Sequence, residues 1–315
     1  MKHIFIINPH AGKKDQTARI YEMADRLREK HGLECVCMLT TRPGGATELA
    51  REAAQSGEEV RIYACGGDGT VHEVANGVAG FANAAMSVIP TGTGNDFLKN
   101  FGADEAKFAD AENLWDGDVQ ELDLIECNGE FCLTIACAGI DARVAECVHN
   151  FDGPAWLDGM GSYIAAIIPN FFGSAIARKW TITVEDGAPD ADEYSLISLC
   201  NGRYYGGGFF PVPEARMNDG QLHAVVVRKV SRPEFLKLIG GYAKGRHATL
   251  PKHLIRVMPV NKLSITAAEG EEDIVYCLDG ECFRSRSVSM CLSDRKLNFF
   301  GPKGCDPNAT AKGGN

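Results

Sequence analysis

Residues 60–80 read VRIYACGGDGTVHEVANGVAG. VRIYAC is a short apolar run of strand character, VHEVANGVAG has helical spacing, and Gly66, Gly67, Asp68, Gly69 and Thr70 lie between them. A strand that feeds a helix through so tight a glycine loop is the building unit of a parallel α/β sheet. The loop also raises a chemical question. Glycine lets backbone approach a ligand closely, and the ligand of such loops is often a phosphate. Phosphate is anionic, yet a carboxylate sits at the centre. Either Asp68 only forms a tight turn, or it faces phosphate through a cation.

The same unit repeats on either side of this stretch. HIFIIN is a strand run, and DQTARIYEMADRLREKHG places Ile20, Met23, Ala24 and Leu27 at helical spacing with Gly32 positioned to end the helix. ECVCMLT is a strand, ATELAREAAQSG a helix ending at Gly57, and AAMSVIP a further strand. Residues 1–122 are therefore expected to form an α/β domain with a parallel, Rossmann-like sheet. After Leu122 the pattern changes. ELDLIEC and EFCLTIACAG flank Asn128-Gly129, a strong hairpin signal. KWTITVED, EYSLISLCN, QLHAVVVRKV, NKLSITAA, DIVYCLDGE, SVSMCLSD and KLNFF follow as strands. Residues 123–300 are expected to form a mainly antiparallel β-sandwich domain interrupted by two helical segments. The clearer helix, SRPEFLKLIGGYAKGRH, opens with Ser231, Pro233 and Glu234 in the arrangement of a capping box. Residues 301–315 are expected to be a disordered tail.

With 315 residues, 45% hydrophobic and 23% charged, the chain has the composition of an ordinary soluble protein with a real core. No apolar run reaches the ~18 residues of a membrane span, and the N-terminus is too quickly polar for a signal peptide. The expected location is the cytoplasm. None of the twelve cysteines forms a C-x-x-C pair, and most sit in strand-like runs, so they read as reduced core thiols. A net charge of −10 argues against a nucleic-acid partner. The charge is uneven: Arg228 to Lys262 holds nine Lys/Arg and one acid.

Three loops of the first domain follow strands: NPHAGKK (8–14), GGDGTVHE (66–73) and PTGTGNDF (90–97). Each could present backbone N–H groups to phosphate oxygens. Singly they are weak signals, but three at successive strand ends are hard to explain as turns. Their order and spacing, with LDGE at 278–281, resemble the diacylglycerol kinase catalytic-domain family, especially its soluble bacterial lipid kinases. The resemblance spans roughly residues 1–300. It implies an ATP-dependent kinase of a lipid alcohol, most directly diacylglycerol, with Mg²⁺ as cofactor and ATP held between the domains. It assigns nucleotide contacts to Asn8, Pro9, His10, Ala11, Gly12, Thr40, Gly66, Gly67, Asp68, Gly69, Thr70, Val71, His72 and Thr93. Thr41 could take the place of Thr40, and His72 stands where the family has Asn or Asp. Asp68 then reaches the phosphates through Mg²⁺, while Asn95 and Asp96 either cap a helix or touch nucleotide or metal.

The resemblance makes Glu281 the general base and Asp279 its partner in orientation or metal contact. The residues alone also allow a D-G hairpin with exposed acids, and an extended strand would put both acids on one side. In PEARMNDGQLHAV (213–225), the resemblance assigns a structural Mg²⁺ to the Asp219 carboxylate and the carbonyls of Arg216 and Gln221; an ordinary N-D-G turn is the alternative. Lipid substrates imply peripheral contact with an anionic membrane, for which Arg228–Lys262 is the candidate face and a solvated basic surface the alternative. The apolar YIAAIIPNFF (163–172) either walls an acyl-chain site or is core. A homodimer is admitted as the assembly. The competing functions are a kinase of a sphingoid or ceramide lipid, a kinase of a soluble acceptor such as an NAD kinase, and an inactive lipid- or nucleotide-binding sensor.

Overall fold

A computed structural model describes residues 1–149 and 175–309. The 163–172 segment therefore lies outside the described residues. The chain divides into two compact units, residues 1–124 with 294–315, and residues 125–293.

The first unit is built on a six-stranded sheet. Its strands are β1 (Lys2–Ile7), β2 (Glu34–Leu39), β3 (Val60–Gly66), β4 (Ala84–Pro90), β5 (Val119–Leu122) and β17 (Leu297–Phe300), in the order β2-β1-β3-β4-β17-β5. All neighbours are parallel except β17 and β5. The helices are α1 (Thr17–His31), α2 (Gly45–Gln55) and α3 (Asp68–Val78). α1 buries Ile20, Met23, Ala24 and Leu27 and stops at Gly32, whose φ of 67° suits a residue without a side chain. After β4 the chain continues as 3-10 turns over 96–109, which carry Phe97, Phe101 and Phe108 onto Phe299 of β17.

The partner of β4 comes from the far end of the chain. KLNFF reads as a strand of the second half, but β17 pairs Phe299 with Met86 and closes the first unit's sheet. ELDLIEC is likewise not one strand: β5 pairs in this sheet, and β6 (Ile125–Cys127) begins the other. Residues 301–309, expected to be disordered, continue the first unit. Gln120 donates to the Cys305 carbonyl (2.8 Å), the Gly304 amide donates to Asp118 (3.1 Å), and Pro302, Cys305 and Pro307 are buried.

The second unit is an eleven-stranded antiparallel sheet. Its strands are β6, β7 (Glu130–Cys132), β8 (Ile135–Gly139), β9 (Arg178–Val184), β10 (Asp190–Cys200), β11 (His223–Arg228), β12 (Ile255–Pro259), β13 (Lys262–Ala267), β14 (Ile274–Leu278), β15 (Glu281–Ser285) and β16 (Ser287–Leu292). Asn128 and Gly129, at φ 49° and 93°, make the two-residue turn joining β6 to β7. One core gathers Trp180, Tyr194, Ile197 and Leu263; a second gathers Leu196, Val225, Phe209 and Val275 with α4 (Ile140–His149) and α5 (Arg232–Tyr242). The Ser231–Glu234 capping box is present at the start of α5. All twelve cysteines are free thiols, and most are buried.

Candidate active site

The three glycine loops of the first unit meet. Asn8 donates to the Thr70 hydroxyl (3.2 Å) and accepts from the His10 amide (3.0 Å), which ties the β1 loop to the first turn of α3. The amides of Thr91 and Gly92 donate to the Gly66 carbonyl at 2.9 and 3.2 Å. The glycines are required by this closeness. A Cβ on Gly12 would lie 2.1 Å from the Thr91 carbonyl oxygen, one on Gly92 would lie 2.4 Å from the Gly67 Cα, and one on Gly66 would overlap Thr70. Real Cβ atoms do not approach so closely, so the three loops interlock backbone to backbone.

Asp68 has a definite task in this arrangement. Its Oδ1 accepts the Asp96 amide (2.9 Å), and its Oδ2 lies 2.3 Å from where a Gly94 Cβ would stand. The carboxylate therefore pins the 92–96 loop onto the first turn of α3. Asn95, at φ 49°, donates to the Gly92 carbonyl (2.9 Å), and the Asp96 carboxylate is paired with Lys99. Both residues brace the loop. The Thr91 hydroxyl and the Asn95 Oδ1 are buried without a hydrogen-bond partner among the described residues. Helix α3 begins at Asp68 without a side-chain cap. Its first-turn amides have no intrahelical acceptor, and the helix dipole favours an anion there. A nucleotide phosphate fits this setting, as does a Mg²⁺ held by one carboxylate with the phosphates, because a carboxylate offers about four lone-pair sites and can accept from several partners at once.

Among the residues assigned to the nucleotide, His10, Gly12 and Thr93 are exposed and Asn8, Pro9, Ala11 and Thr40 are partly so. Thr40 sits at the end of β2, its amide donating to the Ile7 carbonyl (2.9 Å). Val71 and His72 lie near the start of α3. Both are buried in α3, the Val71 amide donates to the Gly67 carbonyl, and the His72 ring meets Asn76 on the next turn (3.3 Å). The Val71 amide is thereby engaged within the helix. A residue the sequence did not single out, Glu73, accepts the Gly44 and Ala46 amides (2.9 Å each) and so caps α2 from α3.

In the second unit, Asp279 and Gly280 form the turn between β14 and β15 at φ 50° and 108°. The strand is not extended through them, so the two acids part company. The Asp279 carboxylate accepts the amides of Leu133 (2.6 Å), Thr134 (2.8 Å) and Ile135 (3.4 Å) and also the Thr134 hydroxyl. It positions the bend between β7 and β8. Asn201 holds the same bend from the other side, donating to the Leu133 carbonyl (2.7 Å). Glu281 is half-buried, and its carboxylate takes no hydrogen bond or ion pair among the described residues. It is the acid left available for chemistry.

Asp219 accepts the Gln221 amide (3.0 Å) within its own exposed turn, where Gly220 has φ 74°. Asn261 closes the turn by donating to the Gly220 carbonyl (3.1 Å) and accepting the Leu222 amide (2.9 Å). The Arg216 side chain is exposed. Among the described residues no three His, Cys, Asp or Glu side chains gather into a metal cluster. These bonds make a self-supporting turn and do not by themselves call for a cation.

The second unit also holds a feature that no motif announced. A partly open apolar cavity is lined by Val144, Leu196, Phe209, Phe235, Leu238 and Ile239 among others. Asp141 stands in its wall. Tyr205 donates to Asp141 and meets the Tyr242 hydroxyl (3.0 Å). Burial pushes the Asp141 carboxyl up to about 6, with the hydrogen bonds from Tyr205 and Tyr242 pulling the other way. Tyr205 comes from RYYGGGF, where Gly206, Gly207 and Gly208 all have positive φ. Three consecutive glycines were the available signal for this loop.

A parallel-sheet unit with interlocked glycine loops and an antiparallel unit with an apolar cavity define a kinase-like architecture. The family model described as diacylglycerol kinase catalytic domain matches residues 2–127. The one described as the YegS C-terminal NAD kinase beta sandwich-like domain matches residues 134–300. The chain is 28% identical over 279 residues to a diacylglycerol kinase of Bacillus subtilis, covering 88% of each. It is 29% identical over 279 residues to a probable lipid kinase, YegS-like, of Pseudomonas aeruginosa, covering 87% of this chain and 86% of the relative. A putative diacylglycerol kinase structure from Bacillus anthracis shares the fold, with a TM-score of 0.74 at 24% identity over 95% of this chain and 96% of that one.

The chain belongs to the family of diacylglycerol kinases and YegS-like lipid kinases. It is a phosphotransferase with an alcohol acceptor, in a family whose members use ATP. Among the described residues no helix is long and apolar enough to cross a membrane.

Proposed function

We propose that the protein transfers the γ-phosphoryl group of ATP to the hydroxyl of a membrane lipid alcohol, diacylglycerol, giving phosphatidic acid. The observation that carries the lipid acceptor is the apolar cavity of the second unit. Its walls are almost wholly apolar side chains, as in many ligand sites, with Asp141 and Ser195 as the polar exceptions beside Tyr242. Its lining offers hydrocarbon contact of the kind an acyl chain makes. A water-soluble acceptor such as a dinucleotide would find few polar partners there.

The first unit's loops hold the nucleotide phosphates by backbone amides around Gly12, Gly67 to Thr70 and Gly92. Asp68 would hold a Mg²⁺ ion there, which would supply charge neutralisation at the phosphates. Glu281 orients the lipid hydroxyl and accepts its proton late. A carboxylate is far too weak a base to ionise an alcohol beforehand, but it can take the proton as the leaving oxygen departs through a loose transition state. Asp279 keeps the hairpin that bears Glu281 in place. The basic 228–262 segment belongs to this reading as the side that meets an anionic bilayer.

The test is transfer of labelled γ-phosphate to diacylglycerol, ceramide, a sphingoid base and NAD, the lipids in mixed micelles. Diacylglycerol should be the best acceptor and NAD inert. Preferred phosphorylation of a sphingoid lipid would move the substrate assignment, and turnover of NAD would overturn it.

A further inference from the structure

Helix α5 turns an apolar face to the cavity and a different, exposed face outward. Phe235, Leu238, Ile239 and Tyr242 recur at helical spacing and line the cavity. Pro233, Leu236, Lys237 and Gly240 recur on the opposite stripe, all exposed, and Lys244 follows in the next turn. Leu236 is 62% exposed. A single exposed leucine is ordinary; its charged surroundings are not.

The structure sorts the basic residues of the 228–262 segment. Arg228 is paired with Asp190 and Asp192, Lys229 with Glu193 (2.7 Å) and Lys262 with Asp186 (3.8 Å), so these are locally neutralised. Arg256 lies on β12 next to inward-facing Ile255, so alternation sends it to the other face of the sheet. Lys237, Lys244, Arg246 and Lys252 make no salt bridge among the described residues and remain exposed on α5 and the turns after it. The one acid on the helix, Glu234, is turned back onto the Ser231 amide (2.8 Å) and hydroxyl (2.6 Å). The outer surface of α5 is thus a cationic rim around one apolar side chain.

We propose that this face seats the protein on an anionic bilayer, with Leu236 inserted among the acyl chains and Lys237 and Lys244 against headgroup phosphates. A protein partner fits the surface less well. One leucine falls far short of the ~1,200–2,000 Å² that a specific protein interface buries, whereas a bilayer needs only an apolar anchor and a few lysines. The inference rests on the lipid-kinase reading and adds the helix face that docks. It also places the helix whose inner side lines the cavity directly on the lipid surface.

The experiment uses Leu236→Trp and vesicles of phosphatidylcholine with or without 30% phosphatidylglycerol. The emission that this variant adds to the wild-type spectrum should shift to the blue, and brominated lipid should quench it, on the anionic vesicles alone. Leu236→Glu should weaken vesicle partitioning by about tenfold or more, from the lost apolar burial. Lys237→Gln and Lys244→Gln should each cost about fivefold. Wild-type protein that sediments with the vesicles, while the emission of the Leu236→Trp variant stays unchanged, would overturn the proposal and assign docking to another face. Equal partitioning of the lysine variants and the wild type would overturn it as well. Wild-type turnover of a water-dispersed short-chain diacylglycerol is measured in parallel. Its absence counts against the kinase reading, whatever the vesicles show.

Discussion

The two units solve the problem of holding a ligand by opposite means. In the first, the candidate site is backbone: loops at the ends of β1, β3 and β4 press together so tightly that a Cβ at Gly12 or Gly92 would collide with the backbone of a neighbouring loop. In the second, the site is side chains: a cavity walled by residues from Ile140 to Ile255, with one unengaged acid on the Asp279–Gly280 hairpin. A backbone site leaves contiguous glycine motifs in the sequence. A side-chain site is scattered over more than a hundred positions and leaves almost none. The two units also bury opposite ionisable groups. His3 is wholly buried against the Tyr63 hydroxyl (2.9 Å). Burial, then Arg61 and the N-terminal amine, pull it down to about 4. Asp141 in the second unit is pushed up to about 6.

The largest effect separates chemistry from nucleotide binding. Glu281→Gln should lower kcat by about 10²–10⁴, the usual worth of a positioned general base, while ATP affinity and melting temperature stay near wild type. If kcat per folded molecule stays within about threefold, Glu281 is not the base. Asp68→Asn should cost turnover on the order of 10², because the amide oxygen still accepts from Asp96 but no longer offers a charge to a cation. Activity followed through a Mg²⁺ titration, beside thermal melting, tells these apart: a melting loss without a kinetic one would leave Asp68 as a loop brace only.

The contrast in glycine use can be broken directly. Gly92→Ala drives a Cβ into the Gly67 backbone and should destabilise the first unit by about 3 kcal/mol. Gly280→Ala meets nothing within 4 Å and should cost only the strain of its φ of 108°, about 1–2 kcal/mol. Urea unfolding of both variants measures the difference. Equal losses would mean that the loops yield to the added methyl and that their close approach is not what fixes glycine at position 92.

The buried pair predicts opposed pH dependences. Between about pH 4 and 6.5 the unfolded chain protonates His3 more readily than the folded one does. The His3 contribution is therefore full above about pH 6.5 and lost as pH falls through 4. Asp141 binds its proton more tightly when folded, so its contribution is full below about pH 4 and lost as pH rises through 6. Each amounts to roughly 2–3 kcal/mol. Hydrogen exchange between pH 4.5 and 7 should show the first unit gaining protection and the second losing it. His3→Gln should flatten the first trend and Asp141→Asn the second; a slope untouched by its own variant would remove that group as the cause.

The smallest effect concerns Asp219. As the acceptor of its own turn, it should cost about 0.5–1 kcal/mol when changed to Asn, with no dependence on Mg²⁺. A melting temperature that rises with millimolar Mg²⁺ in the wild type and not in Asp219→Asn would instead establish the cation at Asp219 with the carbonyls of Arg216 and Gln221.

Several elements of both units were legible because their signals are local. Gly32 ends α1, Gly66 and Gly67 lead into α3, and Asn128-Gly129 makes a hairpin. Ser231 and Glu234 cap α5. How the Asp279 carboxylate is engaged was not legible. Whether an acid is available depends on which amides fold back upon it, and the Asp279 carboxylate meets those of Leu133 to Ile135, almost 150 residues away in sequence. Whether a first-turn residue can serve a ligand depends on where its helix begins.

The sequence by itself determined that this chain carries a strand–glycine–helix cradle and an acidic D-G turn, because tight turns and close backbone approach admit few residue types. Only the tertiary structure decided that β17 completes the first sheet, that Glu281 and not Asp279 is left unengaged, and that α5 has a cavity on one side and a basic, leucine-bearing face on the other. Strand partners and cavity walls are chosen by contacts between distant segments, and every apolar run looks equally ready to join them until the chain has folded.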